Sequence, residues 1–526
     1  MKAKILLAAA AGIMCAVASS CSGIPSKADI LIKGGTVYDG VNEQPVVADI
    51  AIVGDRIVYI GEAKENIAEK CDAAKVIDAS GYTVCPGFID PHNHMEPILR
   101  EDKAAESYLR MGVTSMIPGQ CGGSSYPIGD FFAQLEEQGI GVNVASFTGH
   151  NTIREQVMGN EDRFATDEEI AKMQELFEKE LADGSLGLST GLYYVPGCFS
   201  EQKEVVALCS TMADKGGIYT THVRNENKDG IGLYNSIVEA LEIGKQAGVP
   251  VNISHIKCLG KSVWHRSDSV INVIEQYQND GVKVTADQYP YLASGLRMAS
   301  ALTPSWARDG GVEGLRERFK NPELLAKIKA EIPDMIYERG GAETIYISKD
   351  AGEYSAMTLA EAAEKLKMDP VDAVVYLCTE YKPYLNTFVA NEEDLINYMK
   401  KPWVMTCTDG TFGSHPRAAG TYPEKIQKYV LEKNIISLPE MIRKSTSQVA
   451  ETYRIADRGV LREGAYADVI VFKPEELCAN ATYSDPKALA TGFKDVIVNG
   501  VIAVEDDVYT GSLSGKVLRR VEKKTK

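Results

Sequence analysis

Pro86–His94, PGFIDPHNH, is where the reading of this chain begins. Gly87-Phe88-Ile89 is a short apolar run rich in β-formers that stops at Asp90, and two histidines follow with one residue between them. The chain has seven histidines in 526 residues. Two within three positions therefore need a reason, either packing at the end of a strand or the holding of a ligand.

Outward from this stretch the rhythm differs on its two sides. From Ala28 to about Cys85, alternating runs such as ADILIKGGTVYDG and VVADIAIVGDRIVYIG are separated by Gly and Asp, the pattern of antiparallel strands and turns. The far end repeats it in GVLREGAYADVIVFKP and FKDVIVNGVIAVEDD. Residues 28–85 with 456–526 are thus read as one discontinuous β-sandwich, with two separate β caps as the plainer alternative. From Pro86 to Ile455, short apolar strands recur with helical stretches between most of them: TVCPGFID, VTSMIP, VNVASFTG, SLGLSTG, GIYTTHV, VPVNISH, VKVTADQYP and WVMTCTD. Strand and helix in alternation, with eight strands, predict an α/β (β/α)₈ TIM-type barrel over residues 86–455. The rhythm breaks between Tyr291 and Ile347, so residues of about 292–347 read as an inserted lid segment over the barrel mouth.

Composition bounds the function. Hydrophobic residues make up 44% and charged residues 25%, ordinary for a globular protein. A net charge of -17 argues against nucleic acid as a partner. The one basic cluster, the tail LRRVEKKTK, reads as a solvated end. Residues 1–21 carry Lys2 and Lys4, an apolar stretch and then Ala18-Ser19-Ser20-Cys21, the pattern of a lipoprotein signal that ends at a lipid-bearing Cys21. An ordinary secretory signal is the alternative, and either makes the protein exported. No later apolar run reaches the ~20 residues of a bilayer span, so the membrane is met only through a lipid at Cys21. The other cysteines are scattered without CxxC spacing and read as small buried hydrophobes.

In such a barrel, chemistry collects where strands end. His92 and His94 follow the first strand, Cys121 the second, His222 the fifth, His255 the sixth and Asp409 the eighth. A lone strand-end histidine is usually a satisfied core residue, a lone cysteine inert and a lone aspartate a helix cap. Their joint placement at one mouth has no packing explanation and predicts a metal centre. Imidazole, thiolate and carboxylate together suit Zn²⁺ best. Six ligands exceed what one catalytic zinc takes, so two positions are expected. Cysteine between two histidines would make a tight one, and His92, His94 and Asp409 a weaker one.

With PGFIDPHNH, the stretches GQCGGS, GHNTIREQVMG, GLSTGLYYVPG, TTHVRNE, ISHIK, QYPY, TDGTFGSHPRAAGTYP and ADRGVLREGAYADVIVF run in order along nearly the whole chain. Together they resemble the D-aminoacylases, or N-acyl-D-amino-acid deacylases, of the amidohydrolase superfamily. The resemblance implies a tight zinc on Cys121, His222 and His255, a second site on His92, His94 and Asp409, and Asp409 as general base. It implies that Lys257, Arg417 and a tyrosine of Tyr289-Pro290-Tyr291 grip the substrate carboxylate. It also implies hydrolysis of an N-acyl-D-amino acid, or of a related dipeptide, as the activity. Other readings are a dipeptidase or cyclic-amide hydrolase on the same site, and a lipid-tethered metal- or ligand-binding protein without turnover. Met95-Glu96, Gln120 and Thr408 depart from the family pattern, and all three are expected to line the mouth and affect substrate preference. The fourth strand offers no lysine for the carboxylated-lysine ligand of the dihydroorotase and hydantoinase branch, which favours linear over cyclic amides.

Overall fold

The computed structural model describes residues 23–63 and 67–520. The signal and lipobox reading, including Cys21, lies outside the described residues.

Eight parallel strands form the barrel: β1 (Phe88–Asp90), β2 (Val113–Met116), β3 in two pieces (Asn143–Val144 and Thr148–Gly149), β4 (Gly187–Gly191), β5 (Ile218–His222), β6 (Val251–Ile253), β7 (Val284–Gln288) and β8 (Val404–Thr406). Each pairs with the next in sequence, with β3 pairing β2 through its first piece and β4 through its second. The ring closes just beyond β1 and β8, where Asp409 N–H donates to His92 O at 2.8 Å and His94 N–H to Gly410 O at 2.9 Å. Every β1, β2, β4, β5 and β6 residue is buried, as expected for a parallel sheet covered by helices. The helix Asp167–Ala182 starts on a capping box of Thr166 and Glu169, and Gly232–Ala247 stops at Gly248 with φ +70.

TVCPGFID is not one strand. Thr83–Pro86 belongs to the β-domain and β1 begins at Phe88, with Gly87 between them (a Cβ there would lie 2.2 Å from the Thr114 side chain). Thr83–Pro86 is also the seam that joins the two chain ends. It pairs in parallel with Lys27–Val37 and antiparallel with Val469–Phe472. The result is one continuous nine-stranded sheet rather than two caps. Ile32, Ile50, Val84, Val469, Val471 and Ile497 from both ends share a single core.

Two boundaries differ from the sequence reading. The insertion runs from Ala293 to Phe388, not to about 347. It is a small α/β unit whose sheet is made by Ala293–Arg297, Tyr384–Phe388, Ile345–Lys349 and Met357–Thr358. Its own core includes Leu315, Ile332, Ile345 and Leu377. Strand Ile345–Lys349 followed by helices Leu359–Leu366 and Pro370–Glu380 mimics a barrel unit, which is why sequence rhythm ends the insertion too early. The tail is not simply solvated either. Residues 513–520 leave the β-domain and lie along β3, with Leu518 N–H donating to Val144 O at 2.7 Å and Gly515 N–H to Ile140 O at 2.8 Å.

Candidate metal centre and active site

All six predicted ligands meet at the C-terminal mouth of the barrel. Cys121 Sγ stands 3.4 Å from His92 Nε2, 3.4 Å from His255 Nε2 and 3.6 Å from His222 Nδ1. Asp409 Oδ1 lies 3.2 Å from His94 Nε2 and 3.6 Å from His92 Nε2. The donors form three overlapping triads, His92–His94–Cys121, Cys121–His222–His255 and His92–His255–Asp409, each with its atoms within 4.8 Å of one another. The predicted tight triad is therefore assembled. The second set is not separate from it, because Cys121 stands between the two halves and His255 also reaches Asp409.

The backbone is bent to bring these atoms together. Cys121, His255 and Asp409 occupy the left-handed region, at φ +54, +35 and +47. Such strain in residues other than glycine gathers at functional sites. Glycines make room for the Cys121 turn: a Cβ on Gly191 would fall 2.0 Å from Cys121 O, and one on Gly122 would fall 2.1 Å from Asn151 Oδ1.

The protonation pattern suits a cation. Burial alone would push the Cys121 thiol up, but the charges of His92 and His255 and hydrogen bonds from His222 and His255 outweigh it and hold the thiol well below its ordinary value. Burial would likewise raise Asp409, yet Arg417, with Nη1 2.8 Å from Oδ2, then His255 and His94, keep its carboxyl well below the usual carboxylate range. A thiolate and a carboxylate converging with four imidazoles form the donor set of a zinc-type site. The residues present fit the metal.

Two acids missed by the sequence reading complete the centre. Glu226, four residues after His222, lies 3.6 Å from His222 Nε2 and 3.2 Å from His255 Nδ1, and accepts a hydrogen bond from Lys257 Nζ at 2.5 Å. Asp287 at the end of β7 accepts from His255 N–H at 2.7 Å and from Asn252 Nδ2 at 2.6 Å, and sits 3.3 Å from His92 Nδ1. Carboxylates behind ligating histidines fix ring orientation and raise basicity. Glu226 reads as part of a solvated NENKDG loop and Asp287 as an ordinary strand residue, so neither gave a signal beyond its position near a ligand.

A cavity of about 320 Å³ opens above the donors, and Lys257, Tyr289 and Arg417 line it as predicted. The Tyr289 hydroxyl has no hydrogen-bond partner among the described residues, and the Arg417 guanidinium lies 4.6 Å over its ring. Tyr291 is a correction. It does not line this cavity, because its ring turns away to pack 5.3 Å from that of His415. Of the residues that depart from the family pattern, Gln120 borders this cavity and Glu96 an adjoining one beside His94, whereas Met95 and Thr408 border neither. Met95 is core, Glu96 accepts from Ser146 Oγ at 2.7 Å and Ser125 N–H at 2.6 Å, and Thr408 donates its hydroxyl to Asp90 at 2.7 Å, tying β8 to β1. His150 and His415 are buried structural residues, bonded to Glu204 and to Ala293 O, and exposed His265 pairs with Glu393.

Comparison with known proteins places this geometry. Residues 324–516 match the family model described as Amidohydrolase family. The D-aminoacylase of Alcaligenes xylosoxydans xylosoxydans is 30% identical over 94% of this chain and 98% of its own length. The chain belongs to the amidohydrolase family, in its D-aminoacylase group. The N-acyl-D-glutamate deacylase of the same organism is 31% identical over 94% of this chain and 97% of its own length. Among solved amidohydrolases, the N-acyl-D-glutamate deacylase of Bordetella bronchiseptica, complexed with zinc and a phosphonate inhibitor that mimics the tetrahedral intermediate, superposes with a TM-score of 0.81 at 28% identity. That match covers 94% of this chain and 100% of the other.

Proposed function

We propose that this amidohydrolase cleaves the amide bond of N-acyl-D-amino acids, or of closely related N-acylated dipeptides, and releases the free amino acid. The observation that carries the reading is the pairing of a cluster of metal-ligand side chains, a thiolate among them, with Lys257, Tyr289 and Arg417 on the lining of one cavity. A substrate with an α-carboxylate next to a scissile amide needs both. Cys121, His222 and His255 would hold a tight zinc, and His92, His94 and Asp409 a weaker second ion. When bound, zinc supplies Lewis acidity and lowers the pKa of water to about 7.

The chain's own residues then divide the work. Asp409, charged and at the cavity floor, takes the proton of the attacking water and delivers it to the leaving amine nitrogen. Arg417 holds Asp409 ionised and, with Lys257 and the unpartnered Tyr289 hydroxyl, offers positive charge and a donor to the α-carboxylate. Glu226 and Asp287 keep the histidine rings aimed. β4 holds no lysine, and Cys121 occupies the centre of the donor cluster, which supports linear over cyclic amides.

The test is metal analysis followed by amine release from paired N-acetyl-D- and N-acetyl-L-amino acids and dipeptides. Release from the D-compounds is expected. No release from any of them with zinc bound would leave a metal-binding protein without turnover. The protein is also proposed to be exported and lipid-tethered at Cys21, on the strength of the lipobox alone. Cys21→Ser should shift it from the membrane to the soluble envelope fraction.

A further inference from the structure

A second cavity of about 590 Å³ lies beside the first, between the barrel mouth and the insertion. Tyr193, Ser300 and Arg339 line both, so the two cavities adjoin. The partition is light: the Tyr193 hydroxyl donates to Ser300 O at 2.8 Å and accepts from Arg339 Nη2 at 3.4 Å. Tyr193 also marks a direction. It follows β4, across the barrel from β8 with Asp409 and Arg417, and its ring stacks 5.5 Å from that of His222. A substrate with its carboxylate at Arg417 and its scissile carbonyl over the metal donors points its acyl group at Tyr193 and at the chamber beyond.

Two buried guanidinium groups of the chamber lining pair with no carboxylate among the described residues. Arg308 is 8% exposed, forms no ion pair or side-chain hydrogen bond among the described residues, and has a buried Nε without a partner. Arg339 is 4% exposed and bonds only uncharged groups: Ala301 O, Thr387 Oγ1 and the Tyr193 hydroxyl. The lining also carries acids, but none of them pairs with Arg308 or Arg339. Asp334 and Glu338 pair with Lys228, Glu331 accepts from Trp306 Nε1, Asp229 accepts from Asn227 Nδ2 at 2.5 Å, and Arg224 is matched by Glu239. The neighbouring Cys198 is no counter-ion, because burial pushes its thiol up to about 11. Burying guanidinium without an anion is costly, so an anion from outside the chain is the natural complement.

We propose that the second chamber receives an acyl group that ends in a carboxylate, and that Arg308, with Arg339 at the partition, binds that carboxylate. The chamber thereby selects N-(ω-carboxyacyl) amino acids over neutral acyl forms. The inference rests on the amide-hydrolase reading for its orientation.

The experiment compares kcat/KM for N-pentanoyl against N-glutaryl, and the matching neutral and acidic pairs at succinyl and adipoyl length, on one D-amino acid. At the best length the acidic form should be favoured by roughly tenfold or more, as charge-assisted hydrogen bonds allow. Arg308→Met should bring the ratio near one and Arg308→Lys should keep part of it. Both substrates see the same preparation, so any loss of folded protein cancels. A ratio near one at every length, or a ratio unchanged in Arg308→Met, would overturn the inference. A second arm compares N-acetyl-D-Glu with N-acetyl-D-Gln. If Arg308→Met abolishes that preference instead, the chamber reads the amino-acid side chain and the acyl assignment falls. Calorimetry of N-glutarylglycine against N-pentanoylglycine on the zinc-loaded protein reads the site without turnover. Tighter binding of the acidic form with no hydrolysis of any compound would sink the function and keep the chamber, whereas equal binding would sink the chamber.

Discussion

Asp409 and Glu226 are both carboxylates at the centre, yet they face different partners and should fail in different ways. Asp409→Asn keeps the shape and removes the base. Turnover should fall roughly 10²–10⁴-fold while the zinc of the Cys121–His222–His255 site is retained, as read by metal analysis of the same sample, and unchanged turnover would take Asp409 out of the base role. Glu226→Gln instead loosens the support of His222 and His255. Zinc affinity should weaken by about 10–100-fold in a chelator competition, and an unchanged affinity would reduce Glu226 to packing. The two residues also mark how far single positions were legible. Asp409, the histidines and Cys121 stand at strand ends, where barrel geometry gives each a fixed direction, so their types could be read as ligands. Glu226 and Arg339 are placed by a loop and an insertion whose paths no local pattern specifies, and their charges look like solvated surface until the fold buries them.

Strand ends work here through their neighbours. Gly191 closes β4 directly under the Cys121 carbonyl, 2.0 Å from where a Cβ would sit. Gly191→Ala must push the Cys121 turn away. It should cost about 1–3 kcal/mol of stability and lower zinc content, a pairing that thermal unfolding with metal analysis can separate from a stability loss alone. The segment after β8 makes a pH prediction. Lys425 is buried and donates to Thr406 Oγ1 on β8 at 2.8 Å, and burial, then the charge of Lys444, pulls its pKa from 10.5 to about 7. The unfolded chain therefore binds a proton between pH 7 and 10.5 that the folded chain releases. The penalty is complete below pH 7, and stability from this group rises as pH climbs through that window. Lys425→Met should flatten the slope and stabilise the protein at pH 6.5 more than at pH 9, by on the order of 2–3 kcal/mol, measured by urea unfolding at both values. Barrel strands were readable because each is a short run rich in β-formers set between helical stretches. The insertion's far boundary was not, because its own strand and helices keep the same period as the barrel units around them.

The two ends of the chain meet in one sheet, and a buried polar cluster fastens that sheet to the barrel. Arg458 pairs with Asp468, which also accepts from Asn499 N–H at 2.8 Å and from Asn143 Nδ2 on β3 at 3.2 Å. Asp468→Ala strands the Arg458 charge and should cost about 3–5 kcal/mol. Because the cluster spans both parts, fluorescence and activity should be lost in one urea transition, and two separated transitions would show that the parts fold independently. The β-domain's strands were legible from alternation, but their union in one sheet depends on Thr83–Pro86, whose partners lie far apart in sequence. The insertion has a simpler relation to the rest. It leaves the barrel through Ala293–Arg297 and returns through Tyr384–Phe388, and these two strands hydrogen-bond to each other. Its ends are one strand spacing apart, roughly 4.8 Å. All six metal donors lie outside that segment, while the roof of both cavities lies within it. A piece of chain whose ends meet can be lengthened, shortened or replaced by recombination without disturbing what it covers. New substrate ranges can thus arise in this lineage as whole exchanged cassettes, with the hydrolytic floor inherited intact.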